Sequence, residues 1–191
     1  MDRRAVLRLL GGTAAVTALP ADLSALGRAL HQRLERGPSL RVLDPHQDAT
    51  IVAVSDLLIP ATATPGAKAA RVNEFIDLLL AEWYDPDDRD RFLAGIAELD
   101  ARARRRFGKP FVDAAAADQT GLLTVLDDET ARWHTAPEAG RGPEPFYRQI
   151  KWLTLFGYYT SEIGAELEQH YQIIPGRYVP CAPADTGPGP A

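Results

Sequence analysis

Val72-Asn73-Glu74-Phe75-Ile76-Asp77-Leu78-Leu79-Leu80-Ala81-Glu82-Trp83 is the stretch on which the fold turns. Val72, Phe75, Ile76, Leu79, Leu80 and Trp83 recur at spacings of three and four, which puts them on one broad stripe of an α-helix. No strict alternation of apolar and polar residues offers a strand instead. Asp85-Pro86 stops the pattern. Upstream, Asp44-Pro45-His46-Gln47 combines an N-cap acceptor, a proline at the first helical position and a glutamine three residues after the cap. Ile51, Val54, Leu57 and Leu58 follow at helical spacing until Pro60. Thr64-Pro65-Gly66 between these two helices is a turn signal.

The same reading extends downstream. A third helix opens with Asp87 and Asp88, carries Phe92, Leu93, Ile96, Leu99 and Ala103 inward, and stops at Gly108 and Pro110. A fourth, over residues 115–128, contains Leu122, Leu123, Val125 and Leu126 but enters through alanines with no Ser or Thr cap. Residues 135–145, with Pro137, Gly140, Gly142 and Pro143, form a loop. Phe146, Ile150, Leu153, Leu155 and Phe156 define a fifth helix with Tyr158 and Tyr159 at its end. The expected architecture is all-α, a compact bundle of about five helices.

The two ends of the chain read differently. Arg3-Arg4 precede an uncharged, small-residue stretch, so residues 1–21 read as a twin-arginine export signal. An amphipathic N-terminal helix is the competing reading, and the residues leave signal cleavage open. Residues 22–43 read as a linker, 44–181 as the helical domain and 182–191, rich in Pro and Gly, as a disordered tail. A twin-arginine signal implies export to the periplasm or the outer face of the cytoplasmic membrane, through the twin-arginine translocase. That route carries cargo already folded, which suits a small cofactor-free protein only if it leads a larger, cofactor-loaded companion.

A net charge of -5 argues against a nucleic-acid partner, whose phosphates need a basic excess. The arginine run Arg102, Arg104, Arg105 and Arg106 reads as a helix end complementing the dipole. No G-x-G-x-x-G, C-x-x-C-H, H-E-x-x-H or G-x-S-x-G occurs, so no catalytic, cofactor-binding or metal residue is assigned in this chain. His31, His46, His134 and His170 lack a second ligand at helical spacing and read as surface or capping residues. Asp127-Asp128-Glu129 lacks the alternating oxygens of a calcium loop and reads as a solvated helix end.

Two features stand out against that background. The segment from Trp152 to Gly164 has too many aromatics for one helix face, so Trp152, Phe156, Tyr158, Tyr159 and Glu162 are the candidates for a partner interface; core packing is the alternative. Cys181, the single cysteine, is either an inter-chain disulfide candidate or a free buried thiol.

Leu57-Leu58-Ile59-Pro60, Thr64-Pro65-Gly66-Ala67, Asn73-Glu74-Phe75-Ile76-Asp77, Phe156-Gly157-Tyr158-Tyr159-Thr160-Ser161-Glu162-Ile163-Gly164 and Pro175-Gly176-Arg177-Tyr178, closing with Cys181, resemble the gluconate 2-dehydrogenase subunit 3 family. The resemblance spans roughly residues 44–181. It implies a helical, non-catalytic small subunit of a flavin-dependent sugar or sugar-acid dehydrogenase. Such a subunit binds a large FAD-bearing subunit, with electrons passing to a cytochrome c subunit or another acceptor. Two other classes stay open on the residues alone: a free-standing all-α periplasmic enzyme, and a solute-binding or structural protein.

Overall fold

The computed structural model describes residues 40–136 and 142–169. They form five α-helices: α1 (Pro45–Leu58), α2 (Val72–Glu82), α3 (Pro86–Phe107), α4 (Ala116–Thr135) and α5 (Phe146–Thr160). A 3-10 turn, Phe111–Asp113, links α3 to α4, and a π-helical turn, Ile163–Glu168, follows α5. No strand occurs among the described residues. The all-α bundle expected from the sequence is therefore the observed fold.

Helix ends follow the chemistry of their residues. Asp44 closes a complete capping box: its carboxylate accepts from the N–H groups of His46 and Gln47, while Gln47 Oε1 accepts from Asp44 N at 2.9 Å. α3 ends on Gly108 in the left-handed region (φ 72°), with Arg104, Arg105 and Arg106 in its last turn against the negative end of the dipole. α4 starts without a side-chain cap, as its alanine-rich entry suggests, but runs on to Thr135, a full seven residues past Asp128. Asp127, Asp128 and Glu129 consequently lie inside a helix and not at its end, with Asp127 paired to Lys151 and Glu129 to Arg102.

Two sequence expectations need correction at the helix margins. Trp83 was expected on the buried stripe of α2, yet that helix ends at Glu82 and Trp83, its C-cap, is 58% exposed. Its backbone (φ -123°) has already left helical geometry, so its side chain no longer continues the stripe. The end of the linker also belongs to the fold. Asp77, 2% exposed on α2, accepts from the N–H groups of Arg41 (2.7 Å), Val42 (3.0 Å) and Leu43 (2.8 Å). One buried carboxylate thus pins the entering chain and seats Leu43 in the core.

α5 is the hub, touching each of the other four helices. Tyr147, Ile150, Leu153, Thr154, Gly157 and Tyr158 face the interior, among Ile51, Val54, Phe75, Ile76, Phe92 and Ile96. Each fully buried aliphatic or aromatic side chain of this kind contributes about 1.5–3 kcal/mol against exposure. Gly157 is small for a reason: a Cβ there would stand 2.8 Å from the Phe75 ring. Ser55 and Thr154, both buried, satisfy each other at 3.2 Å.

Candidate functional site

The outward face of α5 follows from its period. At 100° per residue, Trp152, Leu155, Phe156 and Tyr159 stand at i, i+3, i+4 and i+7, opposite the residues that face the core. Trp152 is 43%, Leu155 39% and Tyr159 37% exposed, on the one helix that contacts all the others. A helix at the centre of a bundle has little structural need for large apolar side chains facing water.

This stripe is held rigidly from behind. Phe156, half-buried, stacks beneath Trp152 with ring centroids 5.0 Å apart and planes at 19°. Phe156 also meets the buried Phe75 edge-on at 5.5 Å. Tyr159 rests edge-on against Tyr158 at 5.2 Å. The exposed rings are therefore backed by rings anchored in the core, which lowers the entropy cost of covering them.

Tyr158, by contrast, is turned into the core. It is 1% exposed, and its hydroxyl donates to the carbonyl of Pro65 at 2.8 Å. Of the five residues singled out from the sequence for a partner surface, Trp152 and Tyr159 present their rings to solvent and Phe156 supports them. Glu162 is exposed just past the helix, and Tyr158 belongs to the core. Leu167, 49% exposed on the π-helical turn, was not anticipated because it follows the last clear helical period. Arg3, Arg4 and Cys181 lie outside the described residues, as does all of 182–191.

Beyond Tyr159 the chain reverses tightly. Ser161 Oγ donates to Tyr158 O at 2.6 Å and accepts from Gly164 N at 3.1 Å. Gly164 packs against the end of α5, where a Cβ would collide with the Tyr158 carbonyl and lie 3.0 Å from Tyr159 Cα. The turn then reaches the loop before α2, where Thr64 Oγ1 donates to Glu168 at 2.6 Å. Motifs far apart in sequence thus meet in space: Thr64-Pro65 clamps Tyr158 and Glu168, while Phe75 packs on Phe156. A π-helical segment of this kind is rare and often marks a functional region.

The two ends of the stripe differ electrostatically. At the Trp152 end, Arg148 pairs with Glu144 and donates to His134 Nε2, and Lys151 pairs with Asp127 at 2.7 Å. At the Tyr159 end, Glu162 and Glu166 are exposed and form no ion pair among the described residues. Burial, with the nearby Asp127 charge, pushes the Tyr147 phenol up to about 12, so it stays neutral well above physiological pH.

Other clusters are spent on one another. A surface pocket of about 170 Å³ between α3, α4 and the start of α5 contains Arg102, which Glu98 and Glu129 hold from both sides. Hydrogen bonding from Arg105 and Arg102 keeps the Glu98 carboxyl below its usual range. His46 donates to the buried Asp100, which also accepts from Phe111 N at 2.9 Å and ties α1, α3 and the 3-10 turn together. Among the described residues no three His, Cys, Asp or Glu side chains group as a metal site, and no helix is long and apolar enough to cross a membrane. What the α5 face offers is an apolar, ring-backed area with exposed glutamates following its C-terminal end.

Comparison with known proteins gives the family of the chain. Residues 45–176 match the family described as gluconate 2-dehydrogenase subunit 3. The match covers α1 through the π-helical turn, well over half of the chain, and the chain belongs to that family. The family's name makes it a subunit of a multi-subunit gluconate dehydrogenase. Neither a search of curated proteins nor one of solved structures gives a match.

Proposed function

Starting from membership of that family, we propose that this chain is the non-catalytic small subunit of a periplasmic flavin-dependent sugar or sugar-acid dehydrogenase. It binds the large FAD-bearing subunit through the outward face of α5. It escorts that subunit through twin-arginine export on its own signal, in which Arg3 and Arg4 are the paired arginines. Electrons leaving the flavin pass to a cytochrome c subunit or another acceptor, not through this chain.

The observation that carries the reading is the exposure of Trp152, Leu155 and Tyr159 on the central helix, backed by Phe156 and Phe75. Trp and Tyr dominate binding hot spots because they supply large area with few rotamers to freeze. Each such ring buries about 150–250 Å² when fully covered. A stable interface needs about 800 Å² from each partner, so the stripe serves as the centre of a larger contact. Cys181, outside the described residues, belongs to the same proposal as a bridge to the partner chain, and non-reducing electrophoresis of the complex tests it.

Expression of the large subunit with and without this chain tests the whole reading. With it, flavin absorbance and dehydrogenase activity are expected in the periplasmic fraction. Without it, or with Arg3 and Arg4 both changed to Lys, the flavoprotein stays in the cytoplasm. Full periplasmic activity of the large subunit alone contradicts the escort role.

A further inference from the structure

The charge pattern along α5 says what kind of surface covers it. We infer that the segment docking on this face is amphipathic and basic, with apolar side chains over Trp152 and Tyr159 and Lys or Arg side chains meeting Glu162 and Glu166. This rests on the reading above that the large subunit occupies the face.

The argument is one of complementarity. At the Trp152 end the chain has neutralised its own cations, Arg148 with Glu144 and Lys151 with Asp127. Both cations of this end of α5 therefore already have an acidic partner within the chain. At the Tyr159 end the situation is reversed. Glu162 and Glu166 are exposed, close in sequence, and without an ion pair among the described residues. The neighbouring Glu168 is already engaged by the Thr64 hydroxyl. The last turn of α5 carries no basic residue, so its carbonyl end adds to the local negative potential. Leu167, between Glu166 and Glu168 in sequence, is 49% exposed and adds an apolar side chain to this turn. An apolar partner surface would leave both carboxylates desolvated and unpaired, and an acidic one would be repelled. A basic amphipathic segment satisfies both halves.

Binding kinetics of the assembled flavoprotein with purified small-subunit variants, at low and at high salt, test the inference. Glu162→Lys/Glu166→Lys is expected to slow association about tenfold or more at low salt, with the difference closing at high salt. Asp90→Lys, a single reversal at an exposed carboxylate on α3, leaves the rate unchanged. Trp152→Ala/Tyr159→Ala abolishes the complex at either salt. If the aromatic double variant loses the complex but the charge reversals bind like wild type at every salt, the basic segment is wrong while the docking face stands. If the aromatic double variant still binds, the docking face itself is wrong. Circular dichroism of each variant, expected to be unchanged at these exposed positions, separates either result from misfolding.

Discussion

Tyr158→Phe separates core from interface within one run of aromatic residues. Tyr158 is 1% exposed and its hydroxyl donates to Pro65 O at 2.8 Å, fixing the loop before α2 to the end of α5. Removing that oxygen forfeits a half-buried hydrogen bond worth about 0.5–1.5 kcal/mol net. For a chain of this size each kcal/mol lowers Tm by about 2–4 °C, so a fall of roughly 1–6 °C is expected. Urea unfolding followed by circular dichroism should show a lower midpoint with an unchanged slope, because the surface exposed on unfolding is the same. Affinity for the large subunit, measured well below the new Tm, should stay within about twofold, since the residue presents no surface to a partner. Unaltered stability combined with weakened binding would refute the assignment of Tyr158 to the core.

Three further outcomes follow from the same geometry. Asp77→Ala leaves the N–H groups of Arg41, Val42 and Leu43 without their acceptor and should cost about 2–4 kcal/mol, read as a lower urea midpoint and faster protease cleavage near residue 41. Gly157→Ala places a Cβ 2.8 Å from the fully buried Phe75 ring, and overpacking of about 1–3 kcal/mol should exceed the helix-propensity gain of about 1 kcal/mol, lowering Tm. Tyr147, pushed up to about 12, contributes stability that is complete below the ordinary phenol range near 10 and is lost as pH rises toward 12. Its ceiling is about 3 kcal/mol, and Tyr147→Phe should flatten that part of the alkaline denaturation curve.

Much of the fold was legible because helical period and end signals agreed. The capping box at Asp44 and Gln47, the stripe from Val72 to Leu80 and the glycine stop at Gly108 all appear in the structure where their chemistry puts them. Boundaries failed where the signal was absent. α4 has no glycine or proline at Asp128 to end it, so it continues to Thr135, and Trp83 keeps the spacing of a stripe whose helix has already stopped. The site was half legible. A surplus of aromatics over one core face pointed to Trp152–Gly164, but sequence spacing could not decide which ring turned inward. The structure decides it through a long-range bond, Tyr158 to Pro65, that no local pattern announces. Asp77 was equally silent, since an acid inside an apolar helix stripe shows its purpose only when three backbone N–H groups from residues 41–43 arrive at it.

The most direct test places a photo-crosslinking amino acid at position 152, on the exposed stripe, and in a parallel preparation at position 90 on α3. Illumination of cells making both subunits should link position 152, and not position 90, to the flavin-bearing large subunit, identified by mass and flavin fluorescence. A large subunit that co-purifies with the chain yet is never captured from position 152 would contradict the account.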